Sequence, residues 1–553
     1  MKKRSTARKI IYSFIGLVAL VVLGVWIFYT YYFQDAVTDF LGPRLQYAVS
    51  AATHGRYRLT IGKIVYKNGA VYCTDFELRR IRYNDWETGI TVESVKQDTV
   101  FLRGLHIISL LRGKGAFIAR MEMTSPRVVV IDVEDGREKL RHYPPATDSI
   151  PEKLPEKLPV IAFDSIILTD MNIEVPEKFR LSGIDSIYHG VAARLAGFRL
   201  DEVTLISEPL LYSKHLDLDM PKIHYDLGDS VYFMEAGPIH TSLSDSLVEI
   251  DSFSIRPKYS ETAFAEMHHY LRGRMEYSSA DIHLTGFDIE RLMEGKCLSL
   301  KKCTVGEWRL DYYSDKRKPR DPHPPPAVMP NELAREFQFP VDIDSLVLDS
   351  GKIRIRERAP GSKEAGVVTF DRARMIATPY CTDTSSADCG APTLIRISAR
   401  FLGEAPVTAT VNYHLQHKEL DMDIDASVGR FSAKRLNDFL IPNERKEITD
   451  GTIEGGTLKM DIHGNTARTS VTPRYQGLSM KILPNEPGAT RGLWEGLKTF
   501  VANTFVLRSS NLDKDDIKAT SATTTLARKP DEEFLQFIWF ALRKSLGKVI
   551  GGF

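Results

Sequence analysis

The chain has 553 residues, 73 basic and 72 acidic side chains, a formal net charge of +1 and 43% hydrophobic residues. That balance offers no basic stripe for a nucleic-acid backbone, so nucleic acid is not an expected partner. Five cysteines (Cys73, Cys297, Cys303, Cys381, Cys389) are too few for a disulfide scaffold.

The first element is a run of about two dozen uncharged, mostly apolar residues, Ile10 to Phe33, directly behind Lys2, Lys3, Arg4, Arg8 and Lys9. At about 1.5 Å per helical residue it crosses a hydrocarbon core of about 30 Å. The basic flank should stay cytoplasmic, so the remainder of the chain is expected to be exported. The run ends in Trp26, Phe28, Tyr29, Tyr31, Tyr32 and Phe33, an aromatic belt and a poor cleavage site. That favours a retained signal anchor over a cleaved signal peptide, and no polar face marks the run as a core helix. Residues 1–33 are therefore expected to be a cytoplasmic tail and a single transmembrane anchor. No later stretch approaches the length of a second span.

Behind the anchor, period-two alternation dominates and predicts strand after strand. An N-terminal β-region is expected over 34–150, a middle β-repeat region over 151–315, and a C-terminal β-region over 331–528. Two Pro-rich stretches, His142–Pro159 and Lys316–Pro330, should be extended and exposed, and 316–330 is taken as a linker. FDSIILTDMNIEV (Phe163–Val175) and IDSLVLDSGKIRI (Ile343–Ile355) share one pattern: apolar-Asp-Ser, three apolar residues, a polar pair, then alternation. LKKCTVGEWRLDY (Leu300–Tyr312) and IGKIVYKNGAVYCTDFEL (Ile61–Leu78) repeat it more loosely. Each reads as strand–turn–strand, and the repetition argues for an array of similar hairpins. Short helices are expected at Glu261–Met275, Asn331–Phe337 and Ser432–Leu440.

The alternation is cleanest after Pro392. Ile395, Ile397, Ala399 and Phe401 form the apolar side of one strand, and Val407, Ala409 and Val411 that of the next. Leu420, Met422 and Ile424 follow on a third, opposite Asp421, Asp423 and Asp425. The pattern predicts an antiparallel meander wetted on one side. A fourth strand, TLKMDIHG, is expected after a turn at Gly451–Gly456. The C-terminal residues 529–553 should form an amphipathic helix over Asp531–Ile550. Pro530 and Asp531 open it, Glu532 and Glu533 fill its first turn, and Arg543, Lys544 and Lys548 close it.

Catalytic motifs are missing: GxSxG, HExxH, a Walker loop and GxGxxG in context do not occur. Asp-Ser pairs recur (Asp164-Ser165, Asp245-Ser246, Asp251-Ser252, Asp344-Ser345, Asp349-Ser350 among others). A nucleophile is usually single, whereas a turn or strand-edge device recurs, so these read as backbone devices. His268-His269 has no spacing that completes a metal site, and Asp421, Asp423 and Asp425 lack the Gly and Glu of an EF-hand. No catalytic residue, metal or cofactor is expected. An exported chain can hold a disulfide, and the candidates are Cys381 and Cys389 across the polar loop TDTSSAD.

An N-terminal anchor, repeated β-units, a late meander and a closing helix together resemble the AsmA-like envelope proteins. Val428–Gly464, with Leu436-Asn437 on a short helix and Ile448, Asp450 and Gly451 leading into alternating strands, resembles their C-terminal repeat. The segment from Pro330 to Ala377 resembles their mid-chain repeat. The likeness implies a mostly β fold: an elongated, twisted antiparallel groove built from repeated hairpins, with an apolar inner surface. It also implies a single-pass protein of the bacterial inner membrane, its N-terminus cytoplasmic and its bulk periplasmic. Such proteins resemble bridge-like lipid-transfer proteins and serve outer-membrane assembly and lipid homeostasis. The implied partners are phospholipid or another acyl lipid, the inner membrane and outer-membrane proteins.

Three roles follow from these features. The apolar strand faces could bind acyl chains, each CH₂ removed from water contributing about 0.8 kcal/mol. They could instead pack together as the core of an anchored structural or interaction scaffold. An envelope enzyme is disfavoured by the missing motifs. Val411 is the position where an introduced carboxylate is expected to separate groove from core.

Overall fold

Alternation over most of the chain becomes strand in the computed structural model, which is mostly β and ends in a helix. It describes residues 19–24, most of 41–50, 55–133 apart from 68, 82–88, 107, 110–111 and 113, then 160–175, 187–201, 204, 213–227, 231–293, 297–336, 340–382, 387–483, 509–512 and 519–551. The anchor expected over Ile10–Phe33 lies outside these residues except for 19–24, which are helical. No helix among the described residues is long and apolar enough to cross a membrane. The chain divides into two compact units, one mainly before Lys222 and one mainly after it. The Pro-rich stretch Lys316–Pro330 falls in the second unit, and His142–Pro159 lies outside the described residues.

In the first unit, β1 (Tyr57–Thr60) and β2 (Lys63–Lys67) pair antiparallel with β3 (Ala70–Arg80), which pairs with β4 (Gly89–Leu105). Along β4 lie β5 (Ala116–Thr124) and β6 (Arg127–Val133), end to end. Both pair in parallel with β7 (Ile161–Glu174), and β8 (Ile187–Leu200) and β9 (His215–Met220) follow antiparallel. Helical Leu41 and Leu45 pack against Ile64, Val71, Val100 and Ile118 on the apolar face.

The second unit begins with β10 (Ile223–Asp226) and β11 (Tyr232–Ala236), and the division between units passes through β12 (Ile239–Ser242). It continues with β13 (Leu247–Pro257), helix α1 (Glu261–Met267), β14 (Arg274–Thr285) and α2 (Ile289–Met293). Then β15 (Leu298–Val305) and β16 (Trp308–Asp315) lie end to end along β14, and both pair in parallel with β17 (Val341–Arg358). The 316–330 stretch and α3 (Pro330–Glu336) make that parallel connection, which a tight turn cannot. Next come β18 (Gly366–Thr378), β19 (Tyr380–Cys381), β20 (Thr393–Phe401), β21 (Ala405–Tyr413), β22 (Asp421–Val428) and β23 (Phe431–Ser432). A 3₁₀ turn and α4 (Asn437–Glu444) lead to β24 (Lys446–His463), β25 (Thr466–Ile482), β26 (Ala522–Ala527) and α5 (Phe534–Ile550).

The sheets are thus not purely antiparallel, and the echoed segments are mostly not hairpins. Phe163–Val175 lies essentially within β7, and Ile343–Ile355 lies within β17. At their matching polar positions, Asp170 and Ser350 take φ of 55° and 51°. One left-handed residue makes a bulge, whereas a two-residue hairpin turn of the commonest type needs two. The looser echo at Leu300–Tyr312 lies directly beside Ile343–Ile355, Leu300 opposite Ile343 and Trp308 opposite Gly351. Only Ile61–Leu78 turns back as expected, with Lys67 opposite Ala70 in β2–β3. The turn expected at Gly451–Gly456 is likewise continuous strand in β24, with left-handed Gly451 and Gly455 accommodating bulges.

The bulges line up across neighbouring strands. In the first unit Ser125 (φ 58°) donates its hydroxyl to Asp170 Oδ2 at 2.6 Å. In the second, Asp281 (φ 53°) adjoins Gly306, whose N–H reaches the Ala280 and Asp281 carbonyls, and Ser350 and Arg372 (φ 49°) continue the row. A bulge bends its strand and increases local twist, so a row of them bends the sheet along a line.

Helices match in place and differ in extent. α1 stops at Met267, and Arg274 onward joins β14. Ser432–Leu440 splits into a 3₁₀ turn and α4, and the Asn437 amide bonds the Ile448 N–H and carbonyl. That pair of hydrogen bonds holds the short helix against β24 and gives Asn437 a structural role.

Candidate functional site

Register brings the apolar positions of the meander onto one face. Across β20–β21, Ala399 faces Val407, Ile397 faces Ala409 and Ile395 faces Val411. Across β21–β22, Val407 faces Val428, Ala409 faces Ala426 and Val411 faces Ile424. β24 extends the face with Leu458, Met460 and Ile462, opposite Ala426, Ile424 and Met422. On the other side Arg396, Ser398, Arg400, Thr408, Thr410, Asn412, Asp423, Asp425 and Lys459 are exposed. The alternation therefore sorts the sheet into a wet face and an apolar one.

The apolar face is covered unevenly. At one end α5 and α3 lie over it: Phe537 and Ala541 pack with Val411, Tyr413, Leu415, Leu420, Met422, Met460, Ile462 and Ala467, joined by Met329 and Ala334. Ser545 fixes the helix through buried bonds, with Thr524 Oγ1 at 2.6 Å and to the Thr469 carbonyl at 3.0 Å. Lys544 donates to the Thr525 carbonyl on β26. Farther along the strands Ile397, Ala399, Phe401, Val407, Ala409, Ala426 and Val428 are only half-buried. Ala399 packs against the buried cluster that includes Trp308 and Ala373, and Phe401 stacks edge-on with Phe431. Ile395 and Ile424 stand at the border, half-buried against the helix-covered cluster.

All the apolar positions expected from alternation share this face, but they fall into two environments. Val411 is 9% exposed beneath the helix, with Leu420 and Met422. It cannot separate groove from core, because a carboxylate there is buried under either arrangement; Ala409 can. Alternation could identify the face and not the cover, since helix and strand come from distant parts of the chain. Met329 and Ala334 were missed because the Pro-rich stretch beside them read as an exposed linker.

The covered end also holds polar groups away from water. The Tyr413 hydroxyl has no hydrogen-bond partner among the described residues, and burial pushes its pKa up. Outward from the cover, α5 exposes Leu535 (71%) and Trp539 (49%). Cys381 and Cys389 are bonded, with Cα atoms 5.5 Å apart, while Cys73, Cys297 and Cys303 are buried and not disulfide-bonded.

Among the described residues the recurring Asp-Ser pairs sit on turns and bulges or within strands; Asp185-Ser186 and Asp229-Ser230 lie outside them. Ser246 and Ser350 take positive φ, Ser252 bonds the Gly237 carbonyl, and Asp164-Ser165 and Asp344-Ser345 lie within β7 and β17. His268 Nδ1 donates to the Phe264 carbonyl, and His269 rests on Tyr270. Neither histidine faces a carboxylate or thiol grouping suited to a metal among the described residues. No family model matches the chain, and no curated protein is similar to it.

Proposed function

We propose that this is a membrane-anchored periplasmic protein that binds or conducts acyl lipids along the apolar face of a bent β-groove. In this reading residues 10–33 hold it in the bacterial inner membrane with the N-terminus cytoplasmic. The role is non-enzymatic and contributes to outer-membrane assembly or lipid homeostasis, with outer-membrane proteins as onward partners. The observation that carries it is the half-covered stretch at Ile397, Ala399, Phe401, Val407, Ala409, Ala426 and Val428, apolar side chains in ordered strands over which no layer of the described residues packs fully. Acyl chains suit such a face because they need neither hydrogen bonds nor a fixed register. Within each unit the row of bulges supports this reading by bending and twisting the sheet.

A second reading, an anchored structural or interaction scaffold, is favoured by the other end of the same face, where α5 and α3 close over Val411, Met460 and Ile462. Site-specific photo-crosslinking separates the two. A benzophenone amino acid at Ala409 in cells should capture phospholipid, whereas one at exposed Thr410 should not. Capture of protein alone at Ala409 would favour the scaffold.

A further inference from the structure

The turn between β21 and β22 gathers three side chains that the lipid-binding reading does not use. His414 ends the wet face of β21, and its N–H bonds the Asp421 carbonyl at 3.0 Å; the His417 N–H bonds the His414 carbonyl at 3.0 Å. This tight closure stacks the two imidazoles, centroids 4.8 Å apart and planes 19° apart. His417 Nδ1 lies 2.8 Å from Asp421 Oδ2, and one ligand atom each from His414, His417 and Asp421 all fall within 4.8 Å of one another. His463, opposite Asp421 across β22–β24, reaches the other carboxylate oxygen with Nδ1 at 2.8 Å. The turn is braced from below, where Asn331 donates to the His417 and Lys418 carbonyls and Arg335 to that of Lys418.

We propose that His414, His417 and Asp421 bind a divalent cation of the Zn²⁺ class, with His463 orienting the carboxylate. Two ligands each about 2.0–2.1 Å from a tetrahedral ion stand roughly 3.3 Å apart, which falls between the 2.8 Å of the His417–Asp421 pair and the 4.8 Å that bounds all three groups. Two imidazoles and one carboxylate suit Zn²⁺, Ni²⁺ or Cu²⁺ and are poor for Ca²⁺ or Mg²⁺, which take oxygen ligands. Asp421 has the arrangement of a supported ligand: His463 donates to one oxygen and leaves the other facing the histidine pair. Three protein ligands leave a fourth position to water, consistent with side-chain exposures of 57% at His417 and 21% at Asp421. The ion would fasten the β21–β22 turn at the end of the meander that α3 also braces.

The competing account is that Asp421 only pairs with the two histidines through hydrogen bonds. Isothermal titration of the chelator-stripped full chain in detergent with ZnCl₂ distinguishes them. The wild type should take up one ion per chain with micromolar or tighter affinity and unfold at a higher temperature when loaded. His417→Gln and Asp421→Asn should abolish that uptake, and His463→Gln should weaken it by about 10–100-fold. His268→Gln and His269→Gln should leave it unchanged. Should Asp421→Asn fail to fold, His414→Gln decides in its place, since it removes a ligand and leaves the carboxylate paired. Uptake unaffected by His414→Gln and His417→Gln, or no saturable uptake by the wild type, overturns the site.

Discussion

At the residue scale, one backbone angle decides whether a repeated sequence is a hairpin or a bent strand. Ser350 is exposed at φ 51°, between the two halves of β17. A side chain in that conformation costs roughly 1–2 kcal/mol relative to glycine, partly offset by glycine's extra freedom in the unfolded chain. Ser350→Gly should therefore leave stability unchanged or raise it by up to about 1 kcal/mol, and Ser350→Val should lower it by about 1–2 kcal/mol. Urea unfolding of the three proteins measures both. The Asp-Ser pattern was legible in the sequence as a backbone device, but the sign of φ that makes it a bulge was not. Thr169-Asp170 and Asp349-Ser350 are as compatible with a turn as with a bulge until the neighbouring strands fix the register.

Thiol chemistry belongs to the same scale. Burial pushes the Cys73 and Cys303 thiols up to about 12 and about 11. Both folded values lie above the ordinary thiol value, so these groups support the fold at neutral pH. That support is lost as pH climbs from the ordinary value toward the folded ones, because the unfolded chain then releases protons that the folded chain retains. Iodoacetamide at mildly alkaline pH should leave the native protein unlabelled. After denaturation without reductant it should label three cysteines, and after reduction all five. Native labelling of Cys73 or Cys303 would contradict their burial.

At the element scale, α5 serves as a cover. Its periodicity was readable from the sequence, with Phe534, Phe537, Ile538 and Ala541 on one side. The surface it covers was not, because strands β21, β22, β24 and β25 lie at distant positions in the chain. The structure pairs its inner face with Val411, Met460, Ile462 and Ala467, and Phe537 is fully buried. Phe537→Ala should cost about 3–5 kcal/mol by emptying that contact. Trp539 stands outward, so Trp539→Glu should hardly change thermal unfolding. Because an exposed Trp beside Leu535 suits a lipid–water interface, the same variant should weaken vesicle flotation of the solubilised protein. A large drop in melting temperature for Trp539→Glu would show that the outer face of the helix is not free.

At the scale of the whole molecule, each unit repeats one plan. A long strand carries two shorter ones end to end, the next strand in sequence pairs with both in parallel, and that bulged strand begins a further antiparallel run. Repetition was visible in the sequence as echoed segments; parallel pairing was not, because alternation is the same in both directions. The proposed groove also has energetic logic. Burying an acyl chain of roughly sixteen carbons is worth about 13 kcal/mol against water, but a bilayer offers nearly the same. A half-covered apolar face would exchange lipid with a membrane at little net free-energy cost, which transfer requires.

The most direct measurement is the lipid that copurifies with the chain, compared between the wild type and Ala409→Glu. Ala409 is half-buried between Ile397 and Ala426, beyond the reach of the helix cluster. A carboxylate there meets water once lipid leaves, so the fold should survive, while an acyl chain laid against it would trap the charge in an apolar contact. Mass spectrometry should find phospholipid with the wild type and most of it gone from a variant whose melting temperature is close to normal. Unfolding of Ala409→Glu, or a folded variant that retains its full lipid, would contradict the account.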